Sequence, residues 1–200
     1  MRIAQVAPLY EAVPPQLYGG TERIVSYLTE GLVRRGHQVT LFASGESITS
    51  ARLVAARPRA LRLDPGLQSV IAAHLAMLSE VRRRSDEFDV IHVHLSHFIH
   101  FPVLSDVAEK TVTTPHGRLD YADLPGAYAC WPYFPMISIS MRQRQPRNQP
   151  KLQNSNADAV WQECLERDIY GANTADYSLQ PRRSAARQQS ASKQPKPNRQ

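Results

Sequence analysis

Short apolar runs alternate with amphipathic stretches over the first 140 residues, and this alternation constrains the fold more than any other feature of the chain. The runs have the length of buried strands and occupy residues 3–7, 39–43, 89–94, 110–114 and 136–140. Two longer segments, residues 21–35 and 67–81, place apolar side chains at helical spacing. Strands that alternate with helices pair in parallel through right-handed crossovers. We therefore predict an α/β fold built on a single Rossmann-like, doubly wound parallel sheet.

The first predicted helix carries start and stop signals of its own. Thr21 is a good N-cap, and Glu22 would lie near the positive end of the helix dipole. Arg34 and Arg35 suit the negative end, and Gly36 is typical of the residue that follows a helix. The sequence thus predicts a helix that begins directly after a loop containing two glycines.

The apolar pattern stops near residue 145, and the charge balance changes at the same place. Residues 1–141 hold 13 basic and 13 acidic residues, whereas residues 142–200 hold 11 basic and 5 acidic ones and carry the whole net charge of +6. The later segment contains five Leu, Ile, Val or Phe residues but ten of the 14 glutamines. Such a composition buries too little apolar surface to offset the entropy of ordering the chain. We predict a globular domain over residues 1–145 and a polar, basic, disordered tail over residues 146–200.

Composition also argues against several classes of protein. No apolar run is long enough to cross a bilayer, and the first residues lack the pattern of a signal peptide. Cys130 and Cys164 are too few for a disulfide framework, so a reducing, cytoplasmic setting is expected. The basic residues of the tail are scattered and barely interleaved with aromatic ones, which argues against nucleic-acid binding.

Ligands of doubly wound sheets bind beyond the carboxyl ends of the strands, and this rule selects four loops. The loops are residues 8–21, 44–47, 94–98 and 115–120. In the first, Gly19 and Gly20 precede Thr21 and Glu22 at a helix N-terminus, which suits an anionic oxygen of a ligand. A plain tight turn explains the same residues equally well. Neither a Walker loop nor the three-glycine dinucleotide fingerprint is present.

Histidines gather after two of the predicted strands. Four of them suggest a metal site, but no carboxylate or cysteine accompanies them at ligand spacing, so we expect no metal. These four are His92, His94, His97 and His100. His94 and His116 each lie at the carboxyl end of a strand, and Gly117 permits close approach beside His116. We take both histidines as candidates that face the cleft, with a capping role as the alternative for His116.

Six blocks of sequence follow one another in a specific order. They are residues 3–8, 18–23, 36–43, 89–94, 113–117 and 137–144. In this order they resemble the N-terminal domain of family 4 retaining glycosyltransferases, over about residues 1–147. The Gly-Gly-Thr-Glu loop and the Thr-Thr-Pro-His-Gly block are together more specific than either is alone.

The resemblance implies one half of a GT-B fold, in which two Rossmann-like domains face each other across a cleft. It implies that residues 19–22 approach the donor diphosphate and help to shape the acceptor site, and that His116 contacts the transferred sugar. The donor would be a UDP- or GDP-sugar, no further cofactor is implied, and the acceptor stays unknown. In the family, a second domain supplies an Arg/Lys pair that stabilises the leaving phosphate and a Glu-x7-Glu pair that holds the donor.

The chain departs from the family pattern after Gln143 and Arg144. Pro146 begins a segment that does not continue the blocks, and residues 146–200 contain no Glu-x7-Glu pair. The tail is either a native extension or the product of a frameshift or gene fragment, and the second interpretation is favoured. We therefore expect a truncated glycosyltransferase that is inactive by itself. The alternatives are a non-catalytic remnant that binds an acceptor or a nucleotide, and a small nucleotide-binding protein with an RNA-interacting tail.

Overall fold

The computed structural model describes residues 1–140 and Gln143, and a wholly parallel five-stranded sheet runs through this part of the chain. The strands are β1 (Arg2–Val6), β2 (Gln38–Ser44), β3 (Arg52–Arg57), β4 (Val90–Val93) and β5 (Thr111–Thr113). Their order across the sheet is β3-β2-β1-β4-β5, and β1 pairs with both β2 and β4. The predicted Rossmann-like α/β fold is confirmed. The predicted boundary at residue 145 and the tail of residues 146–200 lie outside the described residues.

Helices connect most of the strands. They are α1 (Gly20–Arg34), α2 (Val70–Arg83), α3 (His100–Val103) and α4 (Leu124–Cys130). Short 3₁₀ turns occupy Leu61–Leu63, Ser85–Glu87 and Ser105–Lys110. In the described part of the chain, no helix combines the length and apolar character that a membrane span needs.

The two faces of the sheet carry separate cores, which is what a doubly wound arrangement requires. Leu41 and Ala43 of β2 pack in one cluster with Val25 of α1. Phe42 points to the opposite face, because successive strand residues alternate, and packs in a second cluster with Leu78 of α2. Burying a side chain such as Phe42 contributes about 2–3 kcal/mol. The helices α1 and α2 therefore cover opposite faces of the sheet.

Helix α1 begins two positions earlier than an N-cap at Thr21 would allow. Gly19 is the N-cap, and no side chain caps the helix at that position. Glu22 lies in the first turn of α1, where its carboxylate is close to the positive end of the helix dipole. At the other end, Gly36 follows the helix with a φ of 83°, in the left-handed region that favours glycine.

Strand β3 is absent from the sequence prediction, and its connection to β2 explains why. Parallel strands are normally joined by a dozen or more residues, usually including a helix, but residues 45–51 alone join β2 to β3. The carboxylate of Glu30 in α1 holds this connection. It accepts hydrogen bonds from Thr49 Oγ1 (2.6 Å), the Ser50 backbone N–H (3.0 Å) and Ser50 Oγ. Because β3 is a half-exposed edge strand, its apolar pattern is weak.

The strand predicted over residues 136–140 is wrong beyond its first residues. Met136 forms a single parallel bridge with Thr113, and the Ile137 N–H donates to the Thr113 carbonyl at 2.8 Å. The next exposed N–H in this segment, that of Ile139, donates to Gln143 Oε1 at 2.8 Å rather than to a strand. Gln143 thus draws the segment away from the sheet edge after one bridge.

We expect that Glu30→Gln lowers the free energy of unfolding by about 1–2 kcal/mol, because neutral hydrogen bonds replace bonds to a charged acceptor. Urea denaturation of the full chain measures the change. The matched control is Glu109→Gln, at an exposed position on the turn before β5. Equal effects of the two substitutions would show that Glu30 does not hold the β2–β3 connection.

Candidate functional site

A cleft of about 490 Å³ opens at the carboxyl ends of the central strands, where the topology predicts a ligand site. Residues that follow β1, β4 and β5 line it, together with the start of α1. Arg62 from the turn after β3 and His74 of α2 complete the lining, which also includes Tyr10, Gly19, Gly20, Glu22, His97 and His116. The cleft therefore brings the glycine loop and His116 together, although nearly a hundred residues separate them in sequence.

The two glycines of the loop meet different surroundings. A Cβ atom added to Gly19 would lie 2.8 Å from Pro15 Cβ and 3.0 Å from Glu22 Oε2, so there is no room for a side chain. A Cβ atom added to Gly20 would meet no atom within 4 Å. Gly19 is thus required by packing within the loop, whereas Gly20 leaves open space at the start of α1.

Glu22 is buried at the floor of this loop, with 4% of its surface exposed. Burial raises the pKa of its carboxyl, and the nearby charge of Glu11 raises it further, although backbone N–H groups of Glu22 and Glu11 oppose the shift. Glu11 is buried as well and forms a salt bridge with Arg62, whose Nε lies 3.1 Å from Glu11 Oε1. The loop thus contains two acids but only one of them has a cationic partner in the described residues.

Arg62 ties the loop together from the opposite wall of the cleft. Its Nη1 donates to the Tyr18 carbonyl at 3.4 Å, and its guanidinium lies 5.7 Å from the centre of the Tyr18 ring. Among the described residues that line the cleft, Arg62 is the only Lys or Arg. The positive charge of Arg62 is already paired with the Glu11 carboxylate.

Behind His116, a line of hydrogen-bonded side chains crosses β4 and β1. His116 Nε2 lies 3.0 Å from His94 Nδ1, and His94 Nε2 lies 2.8 Å from Gln5 Oε1. Gln5 Nε2 lies 3.4 Å from His92 Nδ1, and His92 Nε2 lies 2.7 Å from Thr114 Oγ1. His94 is buried and does not line the cleft, so it reaches the cleft only through His116.

Burial keeps these histidines neutral. It lowers the pKa of His116 to about 4 and that of His92 to about 3, and it holds the pKa of His94 well below its ordinary value. At neutral pH, His116 therefore presents an uncharged imidazole to the cleft. It is suited to hydrogen bonding rather than to pairing with a negative charge.

Gln143 clamps the turn that carries His116. Its Nε2 donates to the carbonyl oxygens of Pro115 and Gly117, both at 2.9 Å, and its Oε1 accepts from Ile139. Gly117 faces Ser96, since an added Cβ atom would lie 3.6 Å from Ser96 Oγ. The sequence placed Gln143 in a recognisable block but gave it no role, because all three partners of its side chain are backbone groups.

The wall opposite His116 contains residues that sequence reasoning missed. His74 of α2 accepts a hydrogen bond from the Leu9 N–H at Nε2 (3.1 Å) and donates from Nδ1 to the Val70 carbonyl (2.9 Å). Tyr10 packs against the His74 ring, and its hydroxyl lies 3.1 Å from His97 Nε2. The available signal was the position of Tyr10, a few residues after the carboxyl end of β1.

The four histidines considered for a metal site are hydrogen-bonded to other side chains. Within residues 1–140 and Gln143, no group of three or more His, Cys, Asp or Glu residues is arranged to hold a metal ion. The partners are Gln5 and Thr114 for His92, Gln5 and His116 for His94, Tyr10 for His97, and Thr113 for His100. His100 lies with Thr113 on the other face of the sheet from His92, because Thr113 follows Val112 by one residue in β5.

Comparison with protein families gives a match over this region of the chain. The family model described as Glycosyltransferase Family 4 matches residues 18–149, which include both the glycine loop and His116. No curated protein matches the chain. Among solved structures, the chain is similar to AviGT4, a glycosyltransferase involved in avilamycin A biosynthesis, with 29% identity and a TM-score of 0.38. That match covers 58% of this chain and 32% of the other, so it spans about a third of the AviGT4 chain.

We expect that Gly19→Ala lowers the free energy of unfolding by about 1–3 kcal/mol, because the new methyl group meets the rigid Pro15 ring. Gly20→Ala is the matched control. Its methyl group enters open space at a helix start, so its stability should equal or slightly exceed that of the wild type. Thermal and urea denaturation measure both variants, and a destabilised Gly20→Ala would contradict this account of the loop.

Acid should destabilise the fold at pH values well above those at which ordinary carboxylates titrate. Unfolded histidines bind a proton near pH 6.5, whereas burial lowers the pKa of His92 and His100 to about 3 and that of His116 to about 4. Between these limits the unfolded state binds more protons, so the stability is complete above pH 6.5 and falls as the pH decreases. Each histidine contributes about 1 kcal/mol per pH unit.

Urea denaturation at pH 7.5, 6.0 and 5.0 tests this pH dependence. The raised pKa of Glu22 has the opposite effect, since it favours the folded state at lower pH. It is a single group, however, whereas several histidines are buried. An unfolding free energy that stays constant from pH 7.5 to 5.0 would show that the histidines are not held neutral.

Proposed function

This chain belongs to glycosyltransferase family 4, and from that membership we propose that its cleft binds the sugar diphosphate part of a nucleotide-sugar donor during retaining glycosyl transfer. One observation carries the proposal: the glycine loop and His116 line the same cleft. They come from two distant blocks of sequence, and each supplies a different kind of contact. The loop suits an anionic group, and His116 suits a neutral one.

The start of α1 is the proposed diphosphate site. No side chain caps the helix at Gly19, so backbone N–H groups of the first turn and the positive end of the dipole are directed towards the cleft. The open space beside Gly20 allows a phosphate oxygen to approach the backbone. The raised pKa of Glu22 reduces the repulsion that a buried carboxylate would exert on the diphosphate.

His116 is the proposed contact to the transferred sugar. Its imidazole is neutral at pH 7, and the clamp by Gln143 holds the turn on which it lies. A neutral imidazole forms a directional hydrogen bond with a sugar hydroxyl, which fixes the orientation of the sugar without attracting a phosphate. We assign no acceptor and no particular sugar to this site.

We further propose that the described residues form one half of a GT-B cleft and transfer sugar at no measurable rate by themselves. Departure of a nucleoside diphosphate develops negative charge that preorganised cations must stabilise. In the described part of the cleft, Arg62 is the only Lys or Arg, and it is paired with Glu11. Each missing electrostatic group costs about 100- to 1000-fold in rate. The needed cations would come from a second domain.

A non-catalytic binding module is the second candidate, and the pairing of Arg62 with Glu11 favours it. Such a module would bind a nucleotide sugar or an acceptor without ever cleaving the donor. We also propose that the globular domain ends near residue 145 and that the chain works in a reducing, cytoplasmic setting. The free, exposed thiol of Cys130 is compatible with that setting.

Ligand-observed NMR titration of the full chain with UDP-glucose, GDP-mannose and UDP tests the proposal, since it detects millimolar binding. We expect His116→Ala to weaken binding of the nucleotide sugar about 3- to 10-fold, the value of one hydrogen bond, and to leave UDP binding unchanged. The control is His37→Ala, whose ring lies at the opposite end of the sheet.

The same samples are assayed for release of the nucleoside diphosphate with a panel of acceptors. Binding without release supports a half-site or a binding module. Sustained release that disappears in His116→Ala would overturn the proposal of inactivity. Absence of binding by all three nucleotides, or equal loss of UDP and UDP-glucose affinity in His116→Ala, would contradict the proposed roles of the loop and of His116.

A further inference from the structure

Gln5 occupies the middle of the hydrogen-bonded line behind His116. Its side chain is fully buried between β2 and β4, and it pairs in register with His92. Its amide oxygen faces His94 Nε2 at 2.8 Å, and its amide nitrogen faces His92 Nδ1 at 3.4 Å. A neutral imidazole exists as either of two tautomers, but an amide oxygen only accepts and an amide nitrogen only donates. Gln5 therefore determines the direction of the line, that is, which atom of each hydrogen bond carries the proton.

The donor and the acceptor of each hydrogen bond in the line can be assigned in turn, starting from Gln5. Because Gln5 Oε1 accepts, His94 must carry its proton at Nε2. His94 is buried and neutral, so its Nδ1 has a lone pair and accepts. The atom 3.0 Å from that lone pair, His116 Nε2, must then be the donor. His116 is neutral as well, which leaves its Nδ1 without a proton.

The other end of the line is consistent with this direction. His92 Nδ1 accepts from the Gln5 amide, so His92 donates from Nε2 to Thr114 Oγ1 at 2.7 Å. A hydroxyl oxygen accepts such a bond readily. Every hydrogen bond along the line thus joins one donor to one acceptor, as the burial of these groups requires.

The bare Nδ1 of His116 is accessible, because it is not among the buried, unpartnered polar atoms of the described residues. The lone-pair and N–H directions of an imidazole diverge, so Nδ1 points away from His94 while Nε2 points towards it. His116 lines the cleft, and in the part of the chain that the structure describes no group hydrogen-bonds its Nδ1. The cleft therefore meets a hydrogen-bond acceptor at this position.

We infer that Gln5 is a positioning residue that holds His116 in the Nε2–H tautomer, so that the group bound at His116 Nδ1 is an alcohol and not a phosphate. A hydroxyl donates to the lone pair, whereas a phosphate oxygen offers no proton and meets lone-pair repulsion. The identity of the ligand as a sugar rests on the proposed function, but the tautomer does not. This division assigns the anionic part of a donor to the glycine loop and its alcohol part to His116.

The tautomers are measured directly by NMR of the full chain labelled with ¹⁵N-histidine at pH 7.5, without any ligand. Long-range ¹⁵N–¹H correlations distinguish a protonated nitrogen from a bare one. We expect Nε2–H at His92, His94 and His116. An Nδ1–H tautomer at His116 would overturn the inference, and this result does not depend on whether the chain binds nucleotide sugars.

Gln5→Leu tests whether Gln5 is the cause. Without the amide, His94 and His116 should each show both tautomers. UDP-glucose should then bind about 2-fold more weakly, because about half of the molecules hold the competent tautomer, while UDP affinity is unchanged. The matched control is Gln38→Leu, at an exposed position on the opposite end of β2. A folded Gln5→Leu that keeps a single Nε2–H tautomer at His116 would overturn the role of Gln5. If that variant does not fold, the wild-type spectrum still decides the direction of the line.

Discussion

The pairing of β1 with β2 on one side and β4 on the other places the parts of the cleft together. Val6 and Val93 are the last residues of β1 and β4 and lie opposite each other, so the chain leaves the sheet at the same level after these two strands. The loop that follows β1 leads into α1, and the segment after β5 carries His116. A parallel sheet with a central first strand therefore converts distant sequence positions into one site, without any local motif that would bring them together.

The interior behind the cleft is polar but satisfied, which is an unusual use of the centre of a parallel sheet. Gln5, His92 and His94 occupy positions where Val or Ile would pack, and their burial costs free energy unless every donor has an acceptor. The amide of Gln5 meets this requirement on both sides. The sheet buries less apolar surface at these positions. In return, their hydrogen bonds fix the orientation of the His116 ring that faces the cleft.

The sequence predicted what depends on local pattern and missed what depends on register. Alternating apolar runs were enough for the parallel sheet and for α1, because those signals are contained in consecutive residues. Strand β3 was not predicted, because its connection to β2 lacks a helix and its residues are half-exposed. The strand predicted over residues 136–140 was too long, because Gln143 competes for the Ile139 N–H. The glycine loop and His116 could be selected from strand ends alone. The link between Gln5 and His92 could not, since it requires knowing which residue of β1 lies opposite which residue of β4.

The position of β1 also has a consequence for synthesis of the chain on the ribosome. Its partner β2 is complete by Ser44, but its other partner, β4, begins only at Val90. At a synthesis rate of about 5–20 residues per second, the edge of β1 that pairs with β4 stays unpaired for about 2–9 s. An apolar strand with an unpaired edge is a template for pairing with another nascent chain. During that interval, the polar Gln5 side chain on one face of β1 makes the waiting edge less attractive to the apolar strands of other chains.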